Sequence, residues 1–252
     1  MSVELYILTG ASRGLGRAMA EQLLAPSHTL LTISRKPDRS LDAAAAASGA
    51  RIEQWALDVA LDVGVAARLE AWLHRHTGAG FTTATLINNA ALVGRVGPIE
   101  SMAAEMLAAV VRVDLEAPML LTAAFLRATR PWPTRRRVLN ISSGAGRRTL
   151  SGSAAYCAAK AGLDHFARVV AEDEVLLPNP AGIVSLAPGV IDTDMQTDLR
   201  SAAPEGFPGQ AQFVAMKATG QLATAKEAAA RCLAYLARPD FGTHPVADVR
   251  DV

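Results

Sequence analysis

Short apolar runs alternate along the chain with longer stretches in which apolar residues recur every three or four positions. The runs VELYILT (3–9), TLLTIS (29–34), RIEQWAL (51–57), TLINNA (85–90), RRVLNIS (136–142) and GIVSLAP (182–188) predict β-strands. The stretches 14–25, 60–76, 100–129, 153–176 and 224–237 predict amphipathic helices. Strands separated by helices of this length wind a parallel sheet. Near-continuous apolar strands agree, because such a sheet is covered on both faces. No linker, repeat or shift in composition divides residues 1–252, so the expectation is one α/β domain with a doubly wound parallel sheet.

Some segments break the rhythm. Residues 193–222 are rich in Asp, Thr, Pro, Gly and Gln and follow the sixth strand, which suits an irregular substrate lid. The tail 239–252 offers a last strand near Pro245–Val249, and the alanine-rich run 43–50 reads as a loop or short helix without chemistry. Arg135, Arg136 and Arg137 follow a Pro-Trp-Pro turn and read as a solvated strand entry.

Composition narrows the functional classes. Half of the 252 residues are hydrophobic, 19% are charged, and the formal net charge is +1. That balance argues against nucleic acid or an anionic membrane as the main partner and points to a small molecule. Cys157 and Cys232 form no CxxC or Cys/His pattern, so no metal is expected, and reduced thiols fit a cytoplasmic protein. Cys157 reads as small packing. The first residues lead straight into an apolar strand, so no signal peptide is expected, and runs such as PMLLTAAFL are too short to span a bilayer. A soluble protein is expected.

The first strand runs into TGASRGLG (9–16), with glycines at 10, 14 and 16. A glycine turn between strand and helix lets backbone approach a pyrophosphate, and the helix start aims free N–H groups at it. The spacing is GxxxGxG, and its place at the first βα junction makes it a dinucleotide site. NAD sites carry an acid about 20 residues beyond the glycines. Here that count meets Ser34, Arg35 and Lys36, with no acid before Asp38. Arg35 and Arg13 instead suit a 2′-phosphate, which favours NADP(H); read blandly, both are surface charges. Asp58 and Asn88 close the third and fourth strands, where Asp58 would meet an adenine edge and Asn88 would tie the loop to the cofactor. Either residue serves equally as a helix or turn cap.

The fifth strand ends in NISSGAG (140–146), Tyr156 follows Ser143 by thirteen residues, and Lys160 lies one helical turn beyond Tyr156 on the same face. TGASRGLG, NNAA (88–91), this Ser–Tyr–Lys spacing and PGVIDT (188–193) together resemble a short-chain dehydrogenase/reductase of the Rossmann type, over most of the chain. The resemblance implies a proton-transfer set for hydride chemistry at a carbonyl. Tyr156 is its acid/base, Lys160 lowers the phenol's pKa and grips the nicotinamide ribose, and Ser143 holds the carbonyl. It further implies cofactor contacts from Gly10, Ser12, Arg13, Gly14, Leu15, Gly16, Ala90, Pro188, Gly189, Val190, Ile191 and Thr193. One position departs. Where the family carries an asparagine after the fourth strand, RVDLEAP has Asp114, whose carboxylate accepts a hydrogen bond, cannot donate as an amide does, and shifts the lysine's pKa.

Within the family the chain is most similar to sepiapterin reductases and the bacterial reductases of benzil. The likeness rests on LYILTGASRGLG (5–16), SAAYCAAKAGLD (153–164) and above all LAPGVIDTDMQ (186–196). It implies an NADPH-dependent reductase of a ketone or vicinal dicarbonyl. The expected pocket comes from Thr149, Leu150, Val93, Gly94, Gly189, Val190, Met195 and the loop 197–216. Asp248 is the expected anchor for a pterin-like ring, with Asp251 as its competitor. The faces of 100–129 and 153–176 that include Leu120, Ala124, Leu163, Phe166 and Val170 imply a homodimer or homotetramer. The alternatives are a cofactor-binding sensor or scaffold, with Asp114 marking lost catalysis, and an NAD-linked alcohol dehydrogenase.

Overall fold

The computed structural model describes residues 3–61, 64–76 and 80–251. Seven strands form one parallel sheet among the described residues: β1 (Val3–Thr9), β2 (His28–Ser34), β3 (Arg51–Ala56), β4 (Phe81–Asn88), β5 (Arg135–Ile141), β6 (Ala181–Ala187) and β7 (Val246–Asp248). Their order is β3-β2-β1-β4-β5-β6-β7. It reverses between β1 and β4, and the crevice at that switch point, outside the carboxyl ends of the strands, is where ligands bind in such sheets.

Alternation along β1 shows why both faces are apolar. Tyr6 and Leu8 join a core layer with Leu15 and Met19 of α1 (Gly14–Leu23) and with Cys232 and Leu236 of α9 (Ala225–Ala237). Leu5 and Ile7 point to the opposite layer, with Leu69 and Trp72 of α3 (Val65–His76), Phe125 of α5 (Ala117–Thr129) and Ala167 of α6 (Ala154–Val175). A strand's side-chain period of two feeds the layers in turn. The predicted helix 224–237 is α9, whose start is held by a reciprocal capping box between Thr224 and Glu227.

The alanine-rich run belongs to a helix, α2 (Arg39–Ser48). Asp38 caps its first turn and Gly49 ends it at φ +74°, so alanine's helix propensity acts between two defined ends. The long 100–129 prediction resolves into α4 (Ala104–Val111), one π-helical turn at Arg112–Glu116, and α5. Residues 193–222 are less irregular than expected, since they hold α7 (Asp194–Arg200) and α8 (Gln210–Ala218). The ends of this excursion are clamped, because Ala223 N–H donates to Val190 O and Asp192 N–H to Ala223 O.

The expected solvated strand entry is corrected at its middle residue. Arg136 is 1% exposed and faces the layer that holds Val138, whereas Arg135 is exposed. Its guanidinium meets Glu174 Oε2 at 3.0 Å and Leu126 O at 3.2 Å, and Glu174 also binds Arg130 and accepts from Ala181 N–H at 2.8 Å. Burial pushes the Glu174 carboxyl up, but these hydrogen bonds and the two guanidiniums outweigh it and hold the carboxyl below its ordinary range. Breaking such a buried pair costs roughly 3–5 kcal/mol. Glu174→Gln is therefore expected to lower the urea midpoint markedly at neutral pH. A depressed carboxyl contributes stability above its unfolded pKa and loses it as pH falls through its folded pKa. The gap between wild type and variant should accordingly narrow on acidification, as urea unfolding at a series of pH values would show.

Candidate active site

At the carboxyl end of β1 the chain turns at Gly10, with φ +73°, and enters α1 through Gly14, with φ +54°. A Cβ on Gly16 would lie 2.1 Å from Gly10 O, and one on Gly10 would lie 2.9 Å from Ala90 Cα. Only glycine fits this turn. No side chain caps α1 at Arg13, so its first N–H groups remain open to an anion. Leu15 seats the helix in the core, while Ser12 is half-buried in the turn. A Cβ on Gly14 would come 3.4 Å from Thr193 Cγ2, so the turn and the PGVIDT segment stand face to face. In that segment Gly189 has φ +82°, Val190 O accepts from Ala223, and Ile191 bridges to Ala223.

The turn is held by Thr9, Ser34 and Asn89, to which the sequence assigned no role. Asn89 Nδ2 donates to Thr9 O at 3.0 Å and Gly10 O at 3.2 Å, and Ser34 Oγ accepts from Ala11 N–H at 2.9 Å. Thr9 Oγ1 accepts from the N–H groups of Asn89 and Ala90. The expectation for Asn88 is corrected. Its side chain is buried and donates to Asn140 Oδ1 at 2.8 Å and Thr122 Oγ1 at 3.2 Å, so it ties β4 to β5 and α5. Successive strand residues face opposite ways, and the paired asparagines of NNAA hid which amide turns toward β1. Asp58 caps Ala60 N–H at 2.9 Å. Arg35 is exposed just past β2 and makes no ion pair among the described residues, while Asp38 is engaged by Arg17 at 3.0 Å. Arg13 pairs with Asp194 at 2.9 Å, both well exposed, a contact weak enough to exchange.

The chemical end is compact. Ser143 follows β5 and accepts from Ala145 N–H at 3.1 Å, and Tyr156 and Lys160 share the inner face of α6. Lys160 is 2% exposed; its Nζ donates to Ile141 O at 3.0 Å and lies 5.6 Å from the Tyr156 ring centre. Burial pushes the Tyr156 phenol up, Lys160 and the Ser143 hydroxyl pull it down, and Asp114 adds to the rise. The lysine lowers the phenol as expected, but burial exceeds that effect in the protein without cofactor. Asp114 sits on the π-helical turn, fully buried, with Oδ2 at 3.3 Å from Lys160 Nζ.

An apolar cluster packs around Tyr156. Val93, Val110, Leu199 and Phe207 are buried with it, and Leu150, Met195 and Phe213 pack around them. Gly94 and Met195 also line an adjoining cavity of about 320 Å³ that reaches Arg13. Thr149 stands beside Leu150 on the loop after β5. Cys157 is half-buried, with Sγ 3.8 Å from Leu150 O. Asp248 does not face the pocket as a free anchor. It is 5% exposed, lies in β7, and its Oδ1 accepts from Arg250 Nε at 2.8 Å and Arg250 N–H at 3.0 Å. Arg250, two residues on, was the overlooked partner. Asp164, one turn after Lys160, also went unremarked; it accepts from Ser142 at 2.6 Å, Ser185 at 2.7 Å and Arg147 at 2.9 Å. It thereby fixes the Ser143 turn against α6.

The chain has known relatives. The sequence profile of the short chain dehydrogenase family matches residues 4–204. A Bacillus cereus protein named benzil reductase ((S)-benzoin forming) is 38% identical over 216 residues, which span 86% of this chain and 87% of that protein. The sepiapterin reductase of Xenopus laevis is 33% identical over 76% of this chain and 74% of its own. A crystal structure of a short-chain dehydrogenase/reductase from Burkholderia vietnamiensis matches with TM-score 0.66 and 34% identity, covering 99% of this chain and 98% of that one. By this family match over most of its length, the chain belongs to the short-chain dehydrogenase/reductase family, oxidoreductases that act on CH–OH and C=O groups.

Proposed function

We propose that the protein is an NADPH-dependent carbonyl reductase for ketones and vicinal dicarbonyls of the benzil or sepiapterin kind. The observation that carries this reading is the buried Tyr156 hydroxyl, with Ser143 and Lys160 beside it, in an apolar cluster next to the cavity that Val93 and Met195 line. The names of the relatives support the substrate class.

The residues fit a dinucleotide. The glycine turn would take the pyrophosphate against the open N–H groups of α1, and Lys160 would meet the nicotinamide ribose. When bound, the reduced nicotinamide supplies hydride to the carbonyl carbon. Ser143 holds the carbonyl oxygen by donating its hydroxyl proton into a hydrogen bond, and Tyr156 transfers its phenolic proton to that oxygen. Phe207, Leu199, Leu150 and Met195 exclude water and suit a flat ring.

Arg35 is the residue assigned to the 2′-phosphate, with Arg13 released from Asp194 as its second arm. Arg35→Asp is expected to raise the KM for NADPH at least about tenfold and to narrow or invert the preference over NADH, since a charge-assisted phosphate contact is worth about 1.5–3 kcal/mol. Steady-state rates with both cofactors and benzil check this. An unchanged preference overturns the assignment, and absence of NADPH oxidation with any dicarbonyl overturns the reductase reading.

Self-association is proposed through the outer side of α4, α5 and α6, where Val111, Met119, Leu120 and Val169 are exposed. Ala124 and Leu163, counted toward that face in the sequence, are buried within the subunit. Light scattering reads the stoichiometry.

A further inference from the structure

A carboxylate buried against the proton-transfer lysine is the feature that the proposed reaction leaves unused. Asp114 is 0% exposed on a π-helical turn, a local irregularity often found at functional sites. Its Oδ1 accepts from Leu92 N–H at 2.7 Å on the loop after β4. Its Oδ2 lies 3.3 Å from Lys160 Nζ and has no hydrogen-bond partner of ordinary geometry among the described residues. The charged neighbours on this element, Arg112 and Glu116, face solvent.

From every element packed around Lys160, the titratable groups that face it are Asp114, Tyr156 and Asp164. Asp164 is already satisfied by Arg147 and two serine hydroxyls. Those that act on Tyr156 are Lys160, Asp114 and Cys157, with the Ser143 hydroxyl as hydrogen-bond partner. The ammonium that would favour a phenolate is therefore matched by one buried carboxylate at contact distance. In a weakly screened interior the two charges act on Tyr156 largely as a dipole.

We propose that Asp114 is a positioning residue that cancels the charge of Lys160, keeps Tyr156 as the neutral phenol, and so sets the enzyme for carbonyl reduction rather than alcohol oxidation. This rests on the carbonyl reductase reading. In reduction the Tyr156 O–H bond breaks and an O–H bond forms on the former carbonyl oxygen. The carbon takes its hydrogen and electron pair from the reduced nicotinamide, and the phenolate regains a proton from water. The opposite direction needs the phenolate at the outset, which the Asp114–Lys160 pair disfavours. Burial pushes both Asp114 and Tyr156 up. Lys160 is pushed down by burial, yet held up on balance by the two oxygens beside it. The rises of Lys160 and Tyr156 agree with an ammonium next to a neutral phenol, whereas burial of Asp114 works against its carboxylate; the 3.3 Å contact between Asp114 and Lys160 is the geometric ground for the pair.

Asp114→Asn tests the idea, because the amide oxygen still accepts from Leu92 while the charge is gone. The chain has three tyrosines, so Tyr156 ionisation is isolated as the phenolate absorbance lost in Tyr156→Phe. Without cofactor or substrate, Tyr156 of the variant is expected to ionise at least about one pH unit lower than in wild type, a tenfold change in its acid constant. With NADPH and benzil, the alkaline limb of reduction should fall at correspondingly lower pH. With NADP and benzoin, the acidic limb of oxidation should move down equally. Unchanged Tyr156 absorbance in a variant that keeps its circular dichroism overturns the proposal. If the variant does not fold, wild type decides: ionisation of Tyr156 at or below about pH 10, the ordinary tyrosine value, overturns it, and ionisation above supports it. The absorbance shift without dicarbonyl turnover in either protein would sink the reductase reading and leave the charge relation standing.

Discussion

Tyr156→Phe is expected to cut the kcat for dicarbonyl reduction by about 10²–10⁴, the usual worth of a positioned general acid, and to leave NADPH affinity nearly unchanged. The substitution removes one oxygen from a buried ring and keeps its packing against Val93, Leu199 and Phe207. Ser143 retains its bond from Ala145 N–H, so the turn after β5 is not released. The loss should fall on kcat with little change in KM, because the phenol's proton is needed in the transition state while the apolar pocket binds the ground state. NADPH oxidation at saturating benzil measures the first quantity, and nucleotide fluorescence measures the second. Turnover within a few-fold of wild type would remove Tyr156 from the reaction.

Lys160→Met should combine a catalytic loss with a large loss of stability, about 3–5 kcal/mol, because it strands Asp114 without its partner in the interior. A stranded carboxyl escapes by taking a proton. Burial already raises the Asp114 carboxyl, and without Lys160 nothing comparable opposes the rise. A carboxyl whose folded pKa exceeds its unfolded one binds more protons when folded. Its contribution is present below the unfolded pKa and is lost as pH rises through the folded one. The variant's deficit should therefore be larger at pH 8 than at pH 5, and adding Asp114→Asn should recover much of it. Urea unfolding of the single and double variants at both pH values checks this. Equal deficits at the two pH values would mean that Asp114 is not left charged.

How much of this was legible depended on the range of each interaction. The glycine turn could be read because φ above zero and close backbone approach select glycine within a few residues. The spacing of Ser143, Tyr156 and Lys160 could be read because Tyr156 and Lys160 share one helix and Ser143 follows closely on β5. The tail strand near Val246–Asp248 was legible too, from apolar residues framed by turns. The failures were of another kind. Asn88 and Asn89 differ by one position, and only the pairing of β4 with β1 and β5 decides which amide meets the glycine turn. Asp248 reads as an exposed terminal acid until β7 docks beside β6 and Arg250 folds back on it. The segment 193–222 buries Leu199 and Phe207 in one cluster with Tyr156, a reward that its own polar sequence does not advertise.

By itself the sequence determined the sheet, the helices that cover it, the glycine turn and the shared helix face of Tyr156 and Lys160, because periodicity, turn chemistry and helical spacing act between near neighbours. Only the tertiary structure decided which charges meet. It buried Arg136 on Glu174, bound Asp248 to Arg250, and placed Asp114 against Lys160. The energy of a charge depends on the burial and the partner that other segments bring to it, and neither is written at the charge's own position.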